Sequence, residues 1–150
     1  MQSPTTTALG RTLTLNKYLT QCFNIMKKVK KGTYDMTWRT LVINMGNMSG
    51  DSDSICGILC LAYYHFMKQN GLTHIIVDHA TVYHIPLLNL SRSDLESRFE
   101  SLYILETYGV DTKILITLDD VDLPRVIEHA NTSIVLYDHN VPNSKQIYLC

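Results

Sequence analysis

Three observations predict an α/β domain with a Rossmann-like, mainly parallel sheet and flanking helices: short apolar runs alternate with helical patterns, acidic loops stand directly behind two of those runs, and 45% of the 150 residues are hydrophobic. Parallel neighbours need crossovers, and the crossovers supply the helices. A chain of this length is expected to bury one core. In open sheets of this kind ligands gather at the carboxyl ends of the strands, so chemistry is sought there.

Residues 1–10 are polar and Thr-rich and read as a loose start. Leu15, Tyr18, Leu19, Cys22, Met26 and Val29 then recur at helical spacing, and the segment closes on Lys27, Lys28, Lys30 and Lys31 before Gly32. This predicts an amphipathic helix whose basic end complements its dipole. The lysines are assigned to that solvated end rather than to a phosphate patch. Residues 1–39 are thus a tail and a helix, and 40–150 the α/β domain. Within it, residues 40–45 form an apolar run that suits a strand buried on both faces. Residues 55–67 form a helix that stops at Asn70-Gly71. Residues 75–77 and 82–90 are strand-like, 95–108 helical up to Gly109, 114–118 a strand, 122–130 a short helix and 133–137 a last strand.

Thirteen basic and fourteen acidic residues are spread along the chain, giving a formal charge of −1. No field of one sign is available for nucleic acid or anionic lipid, and a polyanion would need a local basic pocket. The sequence shows neither a secretory leader nor the roughly 20 apolar residues of a membrane span, so a soluble, cytoplasmic protein without a membrane partner is expected. Cys22, Cys56, Cys60 and Cys150 lack paired metal spacing; Cys56 and Cys60, one helical turn apart, are expected as small core residues.

The chemistry-bearing residues stand behind two strands. Asp51 and Asp53 lie two apart in Gly46-Asn47-Met48-Ser49-Gly50-Asp51-Ser52-Asp53-Ser54, and Asp138 follows the run 134–137. An extended loop can aim such carboxylates at a hard cation, Mn²⁺ or Mg²⁺. Alternatively the first pair caps the next helix and Asp138 forms a turn. If the two acidic motifs converge, a carboxylate shared by two metals about 3.5 to 4 Å apart suits phosphoryl hydrolysis. His65, His74, His84 and His129 show no metal spacing. Asp119, Asp120 and Asp122 before Pro124 fit a capped helix start, Asp78-His79 reads as a strand end, and Ser54 lacks a nucleophile-elbow pattern.

GNMSGDSDS at 46–54, with the helix after it, resembles the first motif of the DHH phosphoesterase superfamily, and IVLYDHN at 134–140 its second. Asn47, where most members have His, and the segment 85–95 continuing through Arg98 resemble the exopolyphosphatase and prune-like subfamily. The likeness runs over roughly residues 40–140. It implies a metal-dependent hydrolase that releases terminal phosphate from inorganic polyphosphate or another phosphoanhydride. It also implies metal roles for Asn47, Asp51, Asp53 and Asp138, with Asp138 the bridge and two ions, Mn²⁺ or Mg²⁺, in a complete site. Catalytic roles fall to Asp51, Asp53 and Asp138. Arg92 and Arg98 are implied in substrate binding, with ion pairs to Asp94 or Glu100 as the alternative. The third motif, Asp-His-His, a later Asp and a C-terminal substrate domain are not matched, so an incomplete or inactive fragment is expected. The competing readings are a pyrophosphatase or oligonucleotide phosphodiesterase of the same superfamily, and a non-catalytic interaction module that self-associates through exposed apolar surface.

Overall fold

The computed structural model describes residues 5–37, 39–70, 82–128 and 131–138. Helix α1 (Thr5–Lys31) begins within the stretch expected to be loose. It ends where the sequence places its stop: Gly32 takes a positive φ of 72° and its N–H bonds the Val29 carbonyl at 2.9 Å. The apolar stripe read from the sequence is the face that packs, since Tyr18, Leu19, Cys22, Met26 and Val29 are all buried in the core, joined by Ile25. Helix α1 therefore belongs to the same hydrophobic core as the sheet.

Strand β1 (Thr40–Met45) is central, with β2 (Val82–Leu87) on one side and β3 (Thr132–Leu136) on the other, all parallel. The α/β expectation is met. Register is the feature that matters for function: Met45 pairs with both Leu87 and Leu136. The three strands thus end level, and the loops at 46, 88 and 137 leave from one edge. Helix α2 (Ser52–Asn70) follows β1 and packs on β2 and β1 through Ile55, Ile58, Leu59, Ala62 and Phe66. Among the described residues no helix is long and apolar enough to cross a membrane.

Several elements differ from the sequence reading. The helix expected over 95–108 is two, α3 (Arg92–Glu96) and α4 (Phe99–Thr107). Ser97 breaks it: its hydroxyl donates to the Asp94 carbonyl at 2.6 Å, a side-chain bond that competes with the helical one, and Arg98 leaves the helical region at φ −89°, ψ 60°. The strand expected at 114–118 is reduced to a single parallel bridge, Leu88 with Thr117. A 3₁₀ turn capped by Asp111 (Thr112–Ile114) precedes it and another, Leu118–Asp120, follows, so local capping overrides extension of the buried Leu115 and Ile116. The last helix is α5 (Leu123–Ile127), started by Asp122, whose side chain accepts the Arg125 N–H, and by Pro124. Asp119 and Asp120 sit in the preceding turn instead. Strand β2 ends at Leu87, short of residue 90. Cys60 is exposed rather than part of the core, while Cys56 is half-buried. The strand expected at 75–77, together with Asp78-His79, His74, His129 and Cys150, lies outside the described residues.

Candidate functional site

The loop between β1 and α2 is folded around one side chain, that of Asn47. Its Oδ1 accepts the N–H groups of Ser49 at 3.1 Å and Gly50 at 3.2 Å and the Ser49 hydroxyl at 2.7 Å. An asparagine holding the backbone two and three residues on is a turn-former by chemistry. Its own N–H donates to the buried Ser54 hydroxyl at 2.9 Å, which ties the loop to α2. Gly50 completes the turn at φ 59°, with Leu90 so close that a Cβ would lie 2.5 Å from its Cδ2.

Asn47 also reaches across the sheet edge. Its Nδ2 donates to Asp138 Oδ2 at 2.7 Å, joining the end of β1 to the end of β3 over 91 residues of sequence. Asp138 is held there from two sides. The Tyr137 N–H bonds the Met45 carbonyl at 2.9 Å, and the Tyr137 ring lies against Gly57 of α2, where a Cβ would stand 2.5 Å from the ring. Asp138 itself has φ 57°, the one positive φ outside glycine among the described residues. Aspartate tolerates this region better than most residues, at a cost of about 1 kcal/mol.

Asp51 faces the same group. Its Oδ1 accepts the Ser54 N–H at 2.9 Å, so it does cap α2, and its Oδ2 accepts the Ser49 hydroxyl at 3.0 Å. These bonds, in that order, together with the Asn47 amide and the Arg98 guanidinium, hold its carboxyl below the usual carboxylate range; slight burial opposes them. It stays ionised at neutral pH. The Ser49 hydroxyl, in reach of both Asn47 Oδ1 and Asp51 Oδ2, links Asp51 to the amide that holds Asp138.

The expected residues do not all meet. Asp53 sits exposed in the first turn of α2, with no hydrogen bond to Asn47, Asp51 or Asp138 among the described residues. Arg98 lies beside the loop, its Nε 3.7 Å from where a Cβ on Gly50 would be, and its charge is felt by Asp51. Arg92 does not reach this loop. It forms an ion pair, to neither Asp94 nor Glu100 but to Asp120, at 2.7 Å. His84 is buried between Asn44 and Gln69 and stacked on His65, an internal histidine rather than an edge ligand.

The arrangement offers hard oxygens from two exposed carboxylates, Asp51 and Asp138. Among the described residues no group of three or more His, Cys, Asp or Glu side chains converges to hold a metal. Asp119 and Asp120, expected at a helix start, stand in the 3₁₀ turn before α5, and Asp120 caps that turn by accepting the Thr117 N–H at 2.9 Å.

No family model matches the chain. It is similar to the protein described as exopolyphosphatase PRUNE1 in Bos taurus, Homo sapiens and Mus musculus, with 28%, 29% and 30% identity over 103 residues. That alignment covers 69% of this chain and 21% of each relative, so the chain spans about a fifth of their length. Sequence similarity to exopolyphosphatases and an α/β fold with acidic loops on one strand edge agree, and together they support a relationship to the DHH phosphoesterases.

Proposed function

We propose that the edge formed by Asn47, Asp51 and Asp138 is the cation-binding part of an exopolyphosphatase-like phosphohydrolase site, taking Mn²⁺ or Mg²⁺. One observation carries the reading: the 2.7 Å bond from Asn47 to Asp138 brings two separate strand ends to one point beside an ionised Asp51. Two carboxylates held by neutral donors leave net negative charge that a divalent cation offsets. The residues that hold it are Asp51 and Asp138 by carboxylate, while Asn47, whose amide oxygen is taken up by Ser49 and Gly50, positions Asp138 through its amide nitrogen. When bound, such a cation neutralises phosphoryl charge and makes water a better nucleophile. Arg98 supports a phosphate-bearing substrate, as an exposed guanidinium beside the loop without an ion-pair partner of its own among the described residues. The substrate proposed from the relatives is a linear polyphosphate; pyrophosphate and short oligonucleotides are the alternatives.

With ligands for one cation, the 150-residue chain is expected to release phosphate from polyphosphate at close to the background rate. Fusing it to the remaining sequence of the bovine relative should give Mn²⁺-dependent phosphate release that Asp138→Ala abolishes. Equal release by that fusion and its Asp138→Ala form contradicts the proposal. Long polyphosphate, pyrophosphate and a dinucleotide, assayed in parallel, separate the substrates.

A second assignment of the motifs rests on one pairing. Thr117 bridges Leu88 in parallel, so Asp119 and Asp120 follow a strand-like segment on the same edge. If Asp119 belongs to the second motif, Asp138-His139-Asn140 takes the place of Asp-His-His, with asparagine at its last position. Asp119→Asn separates the two: under this assignment it weakens cation binding, and under the first it does not.

A further inference from the structure

A cavity of about 390 Å³ opens between α1, α3, α4 and the turn Thr112–Ile114. This is within the roughly 300–1,000 Å³ range of small-molecule sites. None of Asn47, Asp51, Asp53 or Asp138 lines it, so it is independent of the strand-end site. Phe23, Leu95 and Leu102 give it an apolar wall, and its charges come from two pairs of residues that differ in kind.

Arg92 and Asp120 engage each other. Arg92 Nη2 donates to Asp120 Oδ2 at 2.7 Å and to the Leu115 carbonyl at 2.6 Å, and the same Oδ2 accepts the Thr117 N–H and hydroxyl at 2.9 Å each. Glu96 and Lys113, by contrast, have no ion-pair partner among the described residues. The wall that carries Lys113 is fixed in place. Asn16 of α1 donates to the Gly109 carbonyl at 2.8 Å and accepts the Asp111 N–H at 3.0 Å, and Asp111 in turn accepts the Lys113 N–H at 3.0 Å. Walls held in this way lower the ordering cost of binding.

Glu96 and Lys113 stand exposed at the mouth of the cavity, so an uncharged apolar ligand would leave both charges without a partner, and a simple anion would face Glu96 as a like charge. A ligand carrying both signs avoids both costs. We propose that this cavity binds a small zwitterion with an apolar body, the chemistry of a free amino acid with a leucine- or phenylalanine-type side chain. Its carboxylate meets Lys113, its ammonium Glu96, and its side chain the wall of Phe23, Leu95 and Leu102.

Calorimetric titration of the 150-residue chain with L-leucine and L-phenylalanine tests this, with isopentylamine and 4-methylpentanoate as single-charge analogues of leucine. At least one of the two amino acids should bind at one site, with both analogues at least about tenfold weaker. Lys113→Gln and Glu96→Gln, each checked for an unchanged circular dichroism spectrum, should each weaken binding by about tenfold or more, whereas Lys68→Gln, outside the cavity, should not. Absence of binding by both amino acids, binding indifferent to the two cavity substitutions, or equal binding of either analogue overturns the proposal.

Discussion

Asn47 holds the turn with its amide oxygen and the far strand with its amide nitrogen, so a change there tests both roles. Asn47→Asp places a third carboxylate beside two others. Without metal it should lower the melting temperature, because like charges repel, and Mn²⁺ should raise it by more than in the unmodified chain. A thermal melt with and without Mn²⁺ reads both effects. Gly50→Ala should destabilise the chain by about 1–2 kcal/mol in urea unfolding, since alanine resists a φ of 59° and its methyl group meets Leu90. His84 gives a pH signature. Burial, and secondarily the neighbouring His65, push it down from 6.5 to about 4. Between those values the unfolded chain binds the extra proton, so stability present above pH 6.5 is lost as pH falls towards 4. Melts at pH 4.5 to 7 should show that loss reduced in His84→Gln. Asp51 was legible from glycine-bracketed spacing and Asp138 from the apolar run before it. The hydrogen bond from Asn47 to Asp138 was not, because it depends on two strands ending level.

At the scale of elements, those with a strong internal period were legible and those decided by single side-chain bonds were not. The α1 stripe, β1 and α2 form as their apolar spacing requires. The division of α3 from α4 turns on the Ser97 hydroxyl, and the loss of a strand near 115 on caps at Asp111 and Thr117, interactions that periodicity does not register. The division has a consequence, since the residue at the break is Arg98, which it sets beside the Asp51 loop. Helix α1 packs into the same core as the sheet. Truncating a fully buried side chain on it, as in Leu19→Ala or Met26→Ala, should cost about 2–5 kcal/mol in urea unfolding, the range for a large core residue. A cost near zero would place α1 outside the cooperative unit.

For the whole molecule, level strand ends convert separate loops into one edge, which is how an α/β sheet builds a site from residues distant in sequence. The proposed cation site lies on that edge, where a hydrogen bond ties Asn47 to Asp138 beside Asp51, while Arg92 pairs with Asp120 instead. Calorimetric titration of Mn²⁺ into the chain and into Asp51→Ala and Asp138→Ala asks whether the edge is one cation site. One weak site is expected in the unmodified chain, with each substitution lowering its affinity by about ten- to a hundredfold, since ligands lost from so small a donor set are not replaced. Mn²⁺ binding of unchanged affinity in both variants would contradict the account.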